Sequence, residues 1–213
     1  AIVGYTNVGK STLLNALTDA GVLAENKLFA TLDITSRAIE LPDGRSIMLI
    51  DTVGLIRRLP HNLIEAFKST LEEAAAADII LNVQDLTAPD IRQQAEVTSK
   101  LLSELGCDGI PQIYVMNKAD AAEYIDTVFE DDNTVLISAK EKTGFERLLS
   151  CIMKNLPETA KRMKLNIPYD KTAFIGRIRQ EGKIFTEKYT AEGTEIDALV
   201  DIKLIKEAEQ YLI

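Results

Sequence analysis

The chain has 213 residues, 46% of them apolar and 27% charged, with a formal net charge of −9. That balance suits one full α/β domain with a small appendage and excludes a disordered or fibrous chain. It also excludes sequence-independent binding of nucleic acid, which needs clustered Lys and Arg to displace counterions from phosphate. Residues 1–157 hold 14 basic and 23 acidic groups, and residues 158–213 hold 10 of each, so neither part is a basic arm, and no sequence-specific DNA binding is expected. The longest apolar stretches, such as 79–83 and 46–50, are too short to span a membrane. Cys107 and Cys151 form no CxxC pair and there is no His cluster, so neither a disulfide framework nor a zinc site is expected, and a cytoplasmic protein fits.

Taken in chain order, the apolar run 1–3 reads as a buried strand, and a chain that opens inside a strand predicts sequence upstream of it. Gly4-Tyr5-Thr6-Asn7-Val8-Gly9-Lys10-Ser11 follows at once and fits G-x-x-x-x-G-K-[ST] between a strand and a helix over 10–18. The glycines let backbone N–H groups curl around phosphate oxygens. Lys10 is placed to reach the β and γ phosphates, and Ser11 to bind Mg²⁺, with Thr12 completing the phosphate-binding set.

Strands over 35–41 and 46–51 flank Pro42-Asp43-Gly44, whose turn chemistry predicts a hairpin at the sheet edge. The second of these strands ends in Asp51-Thr52-Val53-Gly54, which delivers a carboxylate to the carboxyl edge of the sheet. Asp51 can hold Mg²⁺ through water, and the Gly54 N–H is free to meet a γ-phosphate. The same four residues are also compatible with a plain turn.

A helix is predicted over 63–77, a strand over 79–85 and a helix over 91–105. The strand over 113–117 ends in Asn117-Lys118-Ala119-Asp120. The Asp120 carboxylate can accept from N1–H and the 2-amino group of guanine, a donor pair that adenine lacks. Ser138-Ala139-Lys140, after a strand over 134–137, is placed to close the base pocket with backbone N–H groups, and a helix over 145–156 follows. This alternation predicts an α/β fold, a mostly parallel sheet with helices on both faces, and the ordered motifs carried on it make a P-loop GTPase fold the expectation. After Pro157 a charged linker over 161–164 is expected to lead into a small C-terminal α+β domain, 158–213. Its elements are a strand near Leu165, a helix over 171–180, strands over 183–190 and 194–201, and a helix from Ile202.

The ordered motifs resemble the TRAFAC GTPases, and their details resemble the HflX family of ribosome-associated GTPases. The stretches that carry the closer likeness are Lys27-Leu28-Phe29-Ala30-Thr31-Leu32-Asp33, the run from Asp51 through Leu55, Arg57, Arg58 and His61, the run from Leu63 to Glu73, and Tyr189-Thr190-Ala191-Glu192-Gly193. The resemblance implies that Phe29, Ala30, Thr31, Leu32 and Asp33 form a switch loop and that Thr31 joins Ser11 and Asp51 around Mg²⁺. The residues expected to act at the reacting γ-phosphate are then Lys10, Thr31 and Gly54. It further implies a domain upstream of the phosphate loop, GTP hydrolysis, the large ribosomal subunit as partner, and the splitting of stalled ribosomes.

Leu55 stands where many GTPases carry a water-orienting Gln, so slow intrinsic hydrolysis raised by the ribosome is expected. Asn7 sits as in potassium-stimulated GTPases, which leaves either a K⁺ ligand or a loop-stabilising amide. Arg57, Arg58 and His61 are weighed as surface switch residues against catalytic aids. Two rival readings stay open: a P-loop kinase or ATPase, and a GTP-regulated module of ribosome assembly in which occupancy matters more than turnover.

Overall fold

In the computed structural model the described residues are 1–18, 35–52, 54, 74–122 and 131–213. They group into two compact units, residues 1–39 with 47–156, and residues 40–46 with 157–213.

The first unit is built on a six-stranded sheet. Its strands are β1 (Ile2–Gly4), β2 (Thr35–Glu40), β3 (Ser46–Asp51), β4 (Ile80–Asp85), β5 (Gln112–Asn117) and β6 (Thr134–Leu136), in spatial order β2-β3-β1-β4-β5-β6. β3, β1, β4, β5 and β6 run parallel to one another. Parallel strands covered on both faces are buried at successive positions, and β4 is such a strand, with Ile80, Leu81, Asn82 and Val83 all buried. β2 and β3 are neighbours joined by a short turn in which the Gly44 N–H donates to the Leu41 carbonyl at 2.8 Å. So short a link between neighbouring strands reverses the chain, as the Pro-Asp-Gly sequence predicts.

Helices α1 (Lys10–Thr18), α2 (Ile91–Glu104) and α3 (Phe145–Asn155) accompany the sheet. Each buries a narrow stripe: Leu13 and Leu14 in α1, Thr98 and Leu102 in α2, and Leu148, Cys151 and Ile152 in α3. Val3, Ala74, Ile80, Leu102 and Cys107 form a buried apolar cluster in this unit. The helix expected over 63–77 lies outside the described residues except at its carboxyl end, where Ala74 and Ala75 are helical.

The second unit holds an antiparallel sheet of β7 (Ala160–Ile167), β8 (Lys183–Tyr189) and β9 (Thr194–Asp201), in order β7-β9-β8. Helices α4 (Thr172–Glu181) and α5 (Ile202–Ala208) bury Phe174, Ile175, Ile178, Leu204 and Ala208 in one cluster with Met163, Leu165, Ile167, Ile196, Ala198 and Val200. Each fully buried aliphatic side chain here contributes about 1.5–3 kcal/mol relative to exposure. Asp201 caps α5, its carboxylate accepting from the Lys203 N–H at 2.9 Å.

The linker expected over 161–164 is instead part of β7. Arg162 and Lys164 are exposed on one face while Met163, Leu165 and Ile167 are buried on the other, and Lys161 is exposed near the strand's start, so the charges belong to an alternating strand and do not mark a connection. Arg162 meets Asp197 on β9 through two hydrogen bonds of 2.9 and 2.8 Å and lies 4.4 Å over the Phe185 ring. The hairpin tip 40–46 belongs to this unit, where Glu40 accepts from the Lys183 ammonium at 2.7 Å. Among the described residues no helix is long and apolar enough to cross a membrane.

Candidate functional site

The parallel strands β1, β3, β5 and β6 end at one edge of the sheet, so the segments that follow them meet there. After β1 the chain turns through Tyr5, Thr6, Asn7, Val8 and Gly9 into α1. Asn7 is exposed and takes a left-handed backbone, φ 62°. Lys10, the first residue of the helix, is buried, and its ammonium donates to the Gly4 carbonyl at 3.2 Å and the Tyr5 carbonyl at 3.0 Å. Burial lowers its pKa to about 8, partly opposed by the charge of Asp51. A buried ammonium whose charge burial disfavours, folded back on its own loop, is a receptor for an anion.

The end of β3 comes against the same loop. The Ser11 hydroxyl donates to the Asp51 carboxylate at 2.6 Å, and the buried Thr52 hydroxyl donates to the Ile2 carbonyl at 2.8 Å. A side-chain carbon added at Gly54 would lie 2.9 Å from Thr6 Cα and 3.0 Å from Lys10 Nζ, so only glycine fits so close to the loop. The paired hydroxyl and carboxylate are hard oxygen donors of the kind Mg²⁺ takes. Together with the Lys10 amine and the glycine-lined loop, they fit a magnesium-bound phosphate chain.

Asn117, at the end of β5, ties the two motif regions together. Its amide nitrogen donates to the Val8 carbonyl at 2.7 Å, and its amide oxygen accepts from the Ala139 N–H at 3.0 Å. Gly9 has φ 97°, and a Cβ there would stand 2.4 Å from the Asn117 amide nitrogen, so the link itself requires glycine. Asp120 is exposed and accepts from the buried Ser138 hydroxyl at 2.6 Å. That hydrogen bond, with help from Lys140 and Lys118 against a smaller effect of burial, holds the Asp120 carboxyl below its ordinary pKa. The Ser138 oxygen also accepts from the Glu141 N–H at 3.0 Å, which fixes the serine. Lys140 is exposed and pairs with Glu141 at 3.2 Å.

The structure therefore brings Gly4, Lys10, Ser11, Asp51, Thr52 and Gly54 to one end of the edge and Asp120, Ser138 and Ala139 to the other, with Asn117 between them. Thr12 stands in the first turn of α1. Phe29, Ala30, Thr31, Leu32, Asp33, Val53, Leu55, Arg57, Arg58 and His61 lie outside the described residues. The sequence reading missed Asp85, the last residue of β4, which accepts from the Lys118 ammonium at 2.6 Å. The available signal was a carboxylate ending an apolar strand, the same signal that marked Asp51.

This sheet, with a phosphate loop at one strand end and a carboxylate held ionised at another, defines a P-loop nucleotide-binding domain of the GTPase type. The sequence model of the 50S ribosome-binding GTPases matches residues 1–118, and the chain belongs to that family. Its likeness within the family is to HflX. It is 45% identical over 213 residues to GTPase HflX of Caldanaerobacter subterraneus subsp. tengcongensis, covering 100% of this chain and 49% of the relative. GTPase HflX of Lacrimispora saccharolytica is 49% identical over 208 residues, covering 96% and 49%. The chain thus spans about half the length of these curated relatives. Among solved structures, a GTP-binding protein from the archaeon Sulfolobus solfataricus in complex with GDP is similar over 72% of this chain and 50% of that one, at 30% identity and a TM-score of 0.60.

Proposed function

We propose that this chain is the nucleotide switch of an HflX-like protein, binding GTP across the sheet edge and hydrolysing it, with the large ribosomal subunit as the partner that speeds turnover. The first unit serves as the GTP-binding domain and the second as a small C-terminal domain. The observation that carries the reading is the Asn117 link, since a base-recognising motif bonded to a phosphate loop is what a single nucleotide spanning both requires.

In this reading the Asp120 carboxylate accepts from N1–H and the 2-amino group of guanine, and the Ala139 and Lys140 backbone borders the base. Loop N–H groups from Tyr5 to Ser11, with Thr12, and the Lys10 ammonium take the phosphates. Ser11, Asp51 and Thr31 would hold Mg²⁺, which neutralises charge on the phosphates when bound. Thr52 pins its motif to β1, so the Gly54 N–H can respond to a γ-phosphate. By the family likeness Phe29, Ala30, Leu32, Asp33 and Val53 would belong to the segments that respond to that group.

Hydrolysis joins a water oxygen to the γ-phosphorus as the bond to the β–γ bridging oxygen breaks. The leaving electron pair departs on GDP and the water's proton passes to phosphate or solvent. Leu55 cannot orient that water, so the reaction is slow until a partner orders the switches. Asn7, with its left-handed backbone and exposed amide, is offered as a K⁺ ligand beside the phosphates.

Competition binding of GDP against ADP, followed by phosphate release with and without large ribosomal subunits in KCl and in NaCl, tests each part. GDP is expected to win by several orders of magnitude, and subunits and potassium are each expected to raise turnover. Equal binding of ADP would remove the guanine assignment. Turnover indifferent to subunits would remove the partner, and equal rates in the two salts would remove potassium.

A further inference from the structure

Asp85 is outside every nucleotide motif, yet it is built into the edge those motifs share. It faces Asn117 in register across the β4–β5 pair, and the next backbone N–H, of Leu86, donates to the Asn117 carbonyl at 3.0 Å. Both carboxylate oxygens are engaged. Oδ1 accepts from the Thr87 N–H at 2.9 Å and the Thr87 hydroxyl at 2.6 Å, and Oδ2 accepts from the Lys118 ammonium at 2.6 Å. The Asp85 side chain is 13% exposed, so it is aimed before Lys118 arrives and has little freedom to turn away.

Lys118 is held in a conformation a side chain rarely adopts, with φ 64°. Its own carbonyl accepts from the Ala121 N–H at 3.0 Å, and the Ala119 N–H donates to the Ile137 carbonyl at 3.1 Å. Asp120 sits inside that turn. A left-handed residue at the start of a tight turn sets the direction of everything after it, so whatever holds Lys118 also aims the Asp120 carboxylate.

We propose that Asp85, itself oriented by Thr87, is a positioning residue for guanine recognition: it anchors Lys118 and thereby fixes the turn that presents Asp120. The inference rests on the guanine-nucleotide reading above. An isolated surface ion pair contributes little, but a carboxylate fixed by two local donors and tied to a strained residue has its ordering cost already met by the fold.

The test is binding of GDP and of inosine diphosphate, which lacks the 2-amino group, to the wild-type chain and to Asp85→Asn, Thr87→Val, Lys118→Met and Asp85→Asn/Lys118→Met. Thermal melts establish that each variant is folded. Asp85→Asn keeps the shape and removes the charge, and it is expected to weaken GDP about tenfold and inosine diphosphate distinctly less. The preference for GDP therefore narrows. Thr87→Val moves the same preference in the same direction by a smaller factor and stands in should the Asp85 variant fail to fold. In the Lys118→Met background, Asp85→Asn adds less than about twofold, because its anchor point is already gone. An unchanged preference between the two diphosphates, or a full penalty from Asp85→Asn without Lys118, overturns the proposal. Failure of the wild-type chain to bind GDP overturns the nucleotide reading beneath it.

Discussion

Lys10 shows how one side chain can couple binding to pH. In the folded chain its pKa is lowered to about 8 by burial, against 10.5 for the ordinary amine. The folded state thus binds fewer protons than the unfolded state between those two values, so this residue's penalty on folding is full below about 8 and fades as pH rises toward 10.5. A polyphosphate laid against the amine favours the charged form and raises the pKa again. GDP binding is therefore expected to draw in a proton, with an uptake that grows between about pH 7.5 and 8.5, and affinity should decline above that range. Calorimetry in two buffers of different ionisation enthalpy reads the uptake directly. Equal heats in both buffers at about pH 8.5 would mean that Lys10 does not meet the phosphates.

At the scale of elements, the alternation along β7 gives a sharp contrast between neighbours. Leu165 is fully buried in the second unit's core while Lys164 is exposed, although both fell at or beside a stretch that reads locally as a charged linker. Leu165→Ala is expected to destabilise the chain by about 2–5 kcal/mol through lost burial and a residual cavity. Lys164→Ala should change stability by no more than about 0.5 kcal/mol. Urea denaturation of the two variants measures both, and a small effect at Leu165 would contradict the strand.

The same strand shows what a sequence can and cannot carry. The phosphate loop was legible because its chemistry needs contiguous residues at fixed spacing, and the sheet because its strands are short, mostly apolar runs that alternate with helical patterns. β7 was half legible: Met163, Leu165 and Ile167 already alternate with polar residues, but three basic residues in four positions outweighed that period. Asp85 and Lys118 are 33 residues apart, and nothing local announces that they meet. Asn117 was legible as part of a motif, but its bond to Val8 spans 109 residues and exists only once β1 and β5 flank β4. The assignment of residues 40–46 to the second unit is likewise invisible along the chain, because a turn's own sequence says nothing about which core it joins.

For the whole molecule, two cores imply two responses to ligand. The first unit buries Val3, Ile80 and Leu102, and the second buries Leu165, Ile178 and Val200 around its own sheet. Every described residue of the proposed nucleotide site, from Gly4 to Lys140, lies in the first unit's residues. A ligand stabilises the structure that binds it by mass action, about 2.7 kcal/mol at a hundredfold excess over Kd. Scanning calorimetry of the chain with GDP and magnesium is thus expected to show two unfolding transitions, only one of which moves upward as nucleotide is added. Tryptic fragments recovered between the two transitions would identify the surviving unit, which in excess GDP should be the first. A single transition that shifts as a whole would mean that the units unfold together, so that occupancy of the nucleotide site stabilises residues 157–213 as well. Two transitions that both ignore GDP would remove nucleotide binding from the first unit altogether.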